Sequence, residues 1–424
     1  MNNILANWWR SYQFEKALSQ DDRHQAQQIL QKILSSGARL SHLERLFQEN
    51  QKLVQTNQEL KQRQKHLLTV RRTLANSNFL PSVSELIRDI SDKFKIERIE
   101  QNLIQCTGID RRIFSPLEAI ISDFLEKELL GIQEPSRTAN FRTALQDLYG
   151  LKRGLDPNYS SQLSPHLYLI KYFLENVYCT YLAWFFVYQQ GLLPSRIAIL
   201  DVAAGPGTVA YGLSLFLQSC CQRMFLPDLH ISYSSLEKQK TFQYRGLQVW
   251  RRYADSQTTP IPFYFQFLTQ DIFEYAKNSS KIARKFFDFV VISHCFFADL
   301  AHRRQAFQIY QQIFEKHLKP DGCVFLIIQS RKLYKFYNLR PEQIQCDREE
   351  RLVREFLNEM GLRLKNYIYI SSTGSRTFRK KEFYQFAKSR LPKYESMRTI
   401  HHQYLGIKRD LHYAVDDYII LAQR

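Results

Sequence analysis

IAILDVAAGPGTVAYGLSLFL, residues 197–217, carries three local signals in succession. Ile197 to Leu200 is an apolar β-type run that stops on Asp201. A loop of small residues follows: Ala203, Ala204, Gly205, Pro206, Gly207 and Thr208. Val209, Ala210, Leu213 and Leu217 then recur at three- and four-residue spacing, which predicts an amphipathic helix. Strand, small-residue turn and helix form the opening unit of a nucleotide-binding α/β sheet. The missing side chains let a ligand approach the backbone, and the helix N-terminus presents free N–H groups to it.

Two ligand classes fit this turn. GPGTVA at 205–210 satisfies a dinucleotide fingerprint of the GxGxxA type. The same stretch also resembles the first motif of the class I S-adenosylmethionine-dependent methyltransferases, an acid at the strand end followed by three glycine positions. Ala203, Gly205 and Gly207 hold those positions, with alanine replacing the first glycine. Asp201 favours the second resemblance. A carboxylate before the loop repels a pyrophosphate but suits a ligand that carries an ammonium and a sulfonium. Glu237, the next strand-end acid, lies 30 residues beyond Gly207, later than the roughly 20 of a dinucleotide fold.

Downstream segments extend the resemblance in order. LHISYSSLE ends on Glu237, placed as the family places an acid for ribose hydroxyls; a chance surface glutamate is the alternative. FYFQFLTQDIF brings Asp271 and Ile272, where the family reads and packs adenine. FDFVVISHCFF ends a fourth strand at Ser293 and His294, expected at the cofactor's methyl end. His294 is the one plausible catalytic base there, against the plainer reading of a structural histidine. Cys295 reads as a packing residue, because it is not preceded by proline. HLKPDGCVFLIIQ supplies a turn at Pro320–Gly322 and a fifth strand, and RLKNYIYIS and DDYIILAQR supply two more, expected to be antiparallel. The resemblance implies a seven-stranded Rossmann-like α/β sheet with an antiparallel last strand, binding S-adenosylmethionine through Asp201, Ala203, Gly205, Gly207, Thr208, Glu237, Asp271, Ile272 and Ser293. The AGPGT turn also resembles that of the mitochondrial-type small-subunit ribosomal methyltransferases, whose cysteine cluster is missing here. A methyltransferase fold that has lost its chemistry is the other class left open by Ala203.

At 424 residues the chain is long enough for two or three domains. The residues divide into helices over 1–80, a helical segment and linker over 81–165, and the α/β domain over 166–424, so an all-helical N-terminal region precedes the sheet. From Leu40 to Leu74 there is no Gly or Pro, and Leu46, Leu53, Leu60, Leu67 and Leu74 mark heptads. The facing positions Asn50, Asn57, Gln64 and Arg71 are polar. A long helix on its own chain, a homodimeric coiled coil and a basic helix on nucleic acid all fit. Seven cysteines without a CxxC pair indicate neither a zinc site nor a disulfide framework, so no metal is expected. Met1–Arg10 lacks the pattern of a signal peptide. The longest apolar stretch, Leu167 to Tyr188, is broken by Lys171, Glu175 and Asn176 and reads as a buried helix. A cytoplasmic location is the simplest expectation.

The net charge of +18 points to an acidic partner or to solubility alone. Between the last two strands, residues 371–413 hold ten Lys and Arg against three acids. Arg376, Arg379, Lys380, Lys381, Lys388 and Arg390 are the leading cations, interleaved with Phe378, Phe383, Tyr384, Phe386, Tyr394 and Tyr404. Cations with aromatics suit single-stranded nucleic acid. A solvated cap over the pocket and an anionic membrane surface also fit. RNA is the expected methyl acceptor, with a small molecule or a protein as the alternative.

Overall fold

Parallel strands need crossover helices, and the sequence supplies one between nearly every pair. The computed structural model describes residues 2–20, 22–37, 40–41, 44–45, 47–48, 80, 83–132, 136–149, 151, 155–157, 159–223, 226, 229–258, 261–344, 346–377 and 380–424. They fall into two units, Met1–Ser77 and Asn78–Arg424. In the first, the helices Asn2–Ser19 and Arg23–Ser35 bury Phe14, Ala17, Ala26, Leu30 and Ile33 between them. Asp22 caps the second helix by accepting from the Gln25 N–H at 2.9 Å. The heptad segment from Leu40 to Leu74, with its possible homodimer, lies almost wholly outside the described residues.

The second unit is built on one nine-stranded sheet. In chain order the strands are β1 (Ile96–Arg98), β2 (Leu103–Cys106), β3 (Arg196–Val202), β4 (His230–Glu237), β5 (Phe263–Thr269), β6 (Phe287–Ser293), β7 (Leu318–Gln329), β8 (Arg363–Ser371) and β9 (Asp416–Gln423). Their order across the sheet is β1-β2-β8-β9-β7-β6-β3-β4-β5. From β3 onward the order places β3 between β4 and β6, with β4 and β5 on one side and the later strands on the other. The count differs from expectation, because segment 81–165 is not all helical. Its short hairpin β1–β2 joins the sheet, β2 pairing parallel to β8 through Leu103↔Tyr369 and Ile104↔Ile370. The expected pair of antiparallel strands is also corrected. From β3 onward only β9 runs against its neighbours β7 and β8; β8 is parallel to β2 and to the strands β3–β7, while β1 is antiparallel to β2. The Lys319–Gly322 turn bulges out within β7, since Phe287 pairs with Leu318 and Phe289 with Cys323. Lys319 Nζ meets Asp288 Oδ1 there at 2.6 Å.

Leu167 to Tyr188 forms the helix expected of it, with one π-helical turn at Leu169–Phe173 before Leu174–Gln189. Among the described residues no helix is long and apolar enough to cross a membrane. From Val177 to Tyr188 the helix is buried on every side, which is why its residues there are almost all apolar. It packs between segment 81–165 and the helix Thr208–Cys221, so Tyr178, Tyr181 and Trp184 are fully buried. The contact with Thr208–Cys221 is close. Thr180 Oγ1 donates to Thr208 O at 2.9 Å, Trp184 Nε1 to Val209 O at 3.2 Å, and a methyl on Gly212 would stand 2.2 Å from Thr180 Oγ1. Helix propensity alone makes Gly212→Ala stabilising by about 1 kcal/mol. The packing reverses the sign: we expect a loss of about 1–3 kcal/mol, read as a lowered denaturation midpoint. An unchanged or raised midpoint contradicts this account of the crossing.

Candidate functional site

Asp201 ends β3 with its side chain buried, and this placement organises the site. The Tyr233 hydroxyl, from the neighbouring β4, donates to Asp201 Oδ2, while Oδ1 is buried without a hydrogen-bond partner. Burial pushes the Asp201 carboxyl up to about 7, against the pull of Tyr233 and with a further push from Glu237. The chain then turns through residues with left-handed backbone: Ala203 at φ 56°, Gly205 at φ 56° and Gly207 at φ 85°. Ala203 therefore keeps the glycine conformation of the position it fills. A side chain on Gly205 would meet nothing within 4 Å. Gly207 precedes the helix Thr208–Cys221, whose start has no side-chain cap.

Glu237 ends β4 directly beside this loop. Its Oε2 accepts the Gly205 N–H and its Oε1 the Gln239 N–H, each at 2.8 Å. It is buried, and burial raises its pKa against those backbone donors. Two carboxylates thus border one turn, and one of them, Glu237, holds the Gly205 N–H. The helix Lys240–Asp255 closes the far side. A methyl on Gly246 would stand 2.2 Å from Pro206 O, so the helix lies against the loop backbone.

Asp271 lies at the same edge after β5, but its oxygens are engaged. Oδ1 accepts from Phe273 N–H at 3.0 Å and Oδ2 pairs with the exposed Lys238 at 2.8 Å. Ile272 is buried in the core on the β6 side, with Leu236 and Ile292. Thr208 is buried under the crossing helix.

Register continues the site across β6. Val202 pairs with Ile292, so Ser293 follows alongside Ala203. His294 has left-handed backbone, φ 61°, with its N–H on Ile327 O at 2.8 Å. Its Nδ1 lies 3.0 Å from Ser293 Oγ and its Nε2 3.0 Å from Asp417 Oδ1. Asp417 begins β9 opposite Gln329, at this same edge because β9 is antiparallel. Cys179 lies on the helix Leu174–Gln189, which roofs the start of Thr208–Cys221, and stands by the same pair. Cys295 packs as expected, its thiol pushed up by burial to about 11 and its carbonyl accepting from Tyr310 at 2.8 Å.

Tyr233, Cys179 and Asp417 were not expected at the site. Neither were two rings of the roof: Tyr159 and Tyr168 pack on Phe242 at 4.9 and 5.5 Å between centroids. Burial raises the Tyr168 phenol, and the nearby carboxylates of Glu237 and Asp201 add to the effect. Asp156, in the turn-rich stretch expected to be a domain boundary, accepts from Ala298 N–H at 2.9 Å and Lys332 at 3.1 Å. That stretch is therefore tied to the loop after β6.

The basic insertion is divided by burial. Arg376 is not available to a phosphate: 8 % exposed, it pairs with Glu349 at 2.7 Å and Glu100 at 2.9 Å. Arg379 and Phe378 lie outside the described residues, and so do the side chains of Lys380 and Lys381. Lys388 and Arg390, on the helix Lys380–Arg390, are exposed, as are Lys408 and Arg409. Of the aromatics, Tyr394 belongs to the core against Tyr413, and Tyr404 stacks on Phe141. Tyr384 is exposed, beneath Arg409 at 5.1 Å. Glu118 fixes the insertion to the body by accepting the N–H groups of Glu395 and Ser396 at 2.5 and 2.6 Å and the Tyr413 hydroxyl at 3.0 Å.

No family model matches the sequence, and no curated protein matches it. Among solved structures, a Leishmania major S-adenosylmethionine-dependent methyltransferase aligns at 14 % identity and a TM-score of 0.31, over 72 % of this chain and 91 % of that one. A putative methyltransferase of the same cofactor class from Methanococcus maripaludis aligns at 16 % and 0.29, over 49 % and 84 %. A fibrillarin/Nop5p complex aligns at 14 % and 0.29, over 55 % and 74 %. The fold is defined here by strand order and register, which such loose superpositions do not alter.

Left-handed backbone costs a non-glycine residue about 1–2 kcal/mol, partly offset by the lower chain entropy of alanine. Ala203→Gly should therefore match or exceed the parent in stability, by up to about 1 kcal/mol, and Ala203→Val should fall below it. Chemical denaturation measures both. A destabilised glycine variant would contradict the turn geometry.

Proposed function

We propose that this protein transfers a methyl group from S-adenosylmethionine to RNA. The single observation that carries the cofactor assignment is the buried, half-satisfied carboxylate of Asp201 beside a loop open at Gly205. A buried oxygen without a donor is costly unless a ligand supplies one. The donor that suits it is an ammonium group. Asp201 would hold the amino end of the cofactor, Gly205 and Gly207 would admit its backbone-like chain, and Glu237 would accept from the ribose. A pyrophosphate fits poorly, because Asp201 and Glu237 repel it and Glu237 already accepts the Gly205 N–H. Asp271 would serve adenine only by yielding Lys238. S-adenosylmethionine, when bound, supplies an electrophilic methyl group, so the protein's task is to orient an acceptor and manage its proton.

At the acceptor end stand Ser293 and His294, with Asp417 behind the imidazole. His294→Ala should lower turnover at least tenfold and leave cofactor affinity unchanged, as for a group acting only in the chemical step. The RNA assignment is supported by the exposed cations of the insertion and by the net charge of +18. Among the described aromatics of the insertion Tyr384 is the exposed one, with Phe383 and Phe386 half-buried, so phosphate contacts are expected to carry most of the affinity. Binding should weaken with salt by a log–log slope of about −0.7 per neutralised phosphate. Replacing Lys388, Arg390 and Lys408 together by alanine should flatten that slope by up to about 2 with cofactor affinity intact. A parent without salt-sensitive RNA binding overturns the acceptor assignment.

Calorimetry across pH tests the cofactor. With the free carboxyl at about 7, an incoming ammonium favours its ionised form, so binding expels a proton. Affinity should fall as pH drops below 7, by at most tenfold per unit. Asp201→Asn should remove that dependence and weaken binding by about 10- to 100-fold. Tighter binding of NAD than of S-adenosylmethionine, or of neither, refutes the assignment.

A further inference from the structure

Cys179, His294 and Asp417 come from three separate elements: the roofing helix, the residue after β6 and the start of β9. One ligand-capable atom of each lies within 4.8 Å of the other two. Donors around a tetrahedral Zn²⁺ at about 2.0–2.3 Å stand roughly 3.3–3.8 Å apart, so small side-chain rotations bring these three to a common centre. Thiolate, imidazole and carboxylate are the three donor types that zinc takes in proteins.

The surroundings favour a metal over a chance cluster. His294 Nε2 faces Asp417 Oδ1, and its Nδ1 is held by Ser293 Oγ at 3.0 Å. Metal-binding histidines are held at the second nitrogen in this way. Asp417 is steadied in turn, its Oδ2 accepting the Asp416 N–H at 3.2 Å. Cys179 is 1 % exposed, on a helix pinned one residue later by Thr180 to Thr208. The left-handed backbone of His294 is uncommon outside glycine and persists where the surroundings enforce it, most often at functional positions. The sequence could not signal the trio. Its members have no motif spacing, His294 and Asp417 alone being 123 residues apart.

We propose that Cys179, His294 and Asp417 bind one Zn²⁺ ion. Three protein ligands leave a fourth position for water or a substrate atom. Its use by the methyl acceptor rests on the methyl-transfer reading; the metal site itself does not.

The test uses the full chain, stripped with a chelator and titrated with Zn²⁺ against a chromophoric competitor, then with Co²⁺ followed by absorption. We expect one ion per chain and a thiolate-to-cobalt charge-transfer band. Cys179→Ser should abolish the band, and Cys179→Ser and Asp417→Asn should each weaken Zn²⁺ at least about 100-fold, the upper end of what outer-shell changes cost. Cys221→Ser, removing the exposed thiol, should leave both readouts as in the parent. Cys179→Ser changes a single atom, so its thermal midpoint verifies folding if Asp417→Asn fails to fold. No stoichiometric binding, a band that survives Cys179→Ser, or a band lost with Cys221→Ser overturns the proposal. Calorimetry with S-adenosylmethionine on the same samples separates the two readings. Cofactor binding without zinc defeats only the metal site, and zinc without cofactor binding defeats only the cofactor assignment.

Discussion

A carboxylate buried at the end of a central parallel strand is the constraint on which the second unit depends. Asp201 is 1 % exposed, and a charge in such a place costs several kcal/mol unless its surroundings answer it. Tyr233 answers one oxygen only. The other is buried without a partner, and the turn that follows is free of a side chain at Gly205 and left-handed at 203, 205 and 207. Under the proposed cofactor assignment, the stability given up by burying Asp201 would be recovered when a cationic ligand arrives. Affinity for a ligand that binds only the folded state becomes stability by mass action.

Holding that turn in place requires two close approaches. Gly212 lets the roofing helix sit against the start of Thr208–Cys221, and Gly246 lets Lys240–Asp255 touch the Pro206 carbonyl. A methyl group at either position would separate backbones that now meet. The roofing helix also carries Cys179, so the packing that shapes the Asp201 turn sets where the thiol stands relative to His294 and Asp417. Reversal of β9 brings Asp417 to the carboxyl edge from a strand that a fully parallel sheet would have started at the opposite end. The Asp201 turn and the His294–Asp417 pair are thus two consequences of one sheet topology.

What the sequence made legible was local. The β3 turn, Asp201, Glu237 and the tip of β6 each lie in a segment whose periodicity and turn residues declare it. β1 and β2 were not legible, because strands of three and four residues are too short to establish a two-residue alternation amid helical segments. Partners across the fold were equally hidden. Tyr233 reaches Asp201 and Asp417 reaches His294 only through strand pairing. The basic insertion shows the limit of composition. Its cations and aromatics were counted together, but Tyr394 is core, Arg376 is bound to Glu349, and Lys388 and Arg390 face solvent. Burial, which sorts them, depends on Glu118, more than 250 residues earlier.

A crystal structure with S-adenosylhomocysteine bound tests most directly whether Asp201 holds the cofactor. The expected result is the amino group on Asp201 Oδ1, the chain of the ligand over Gly205 and the ribose against Glu237. Density for the ligand elsewhere, or a turn still empty at saturating concentration with Asp201 Oδ1 unpaired, would contradict it.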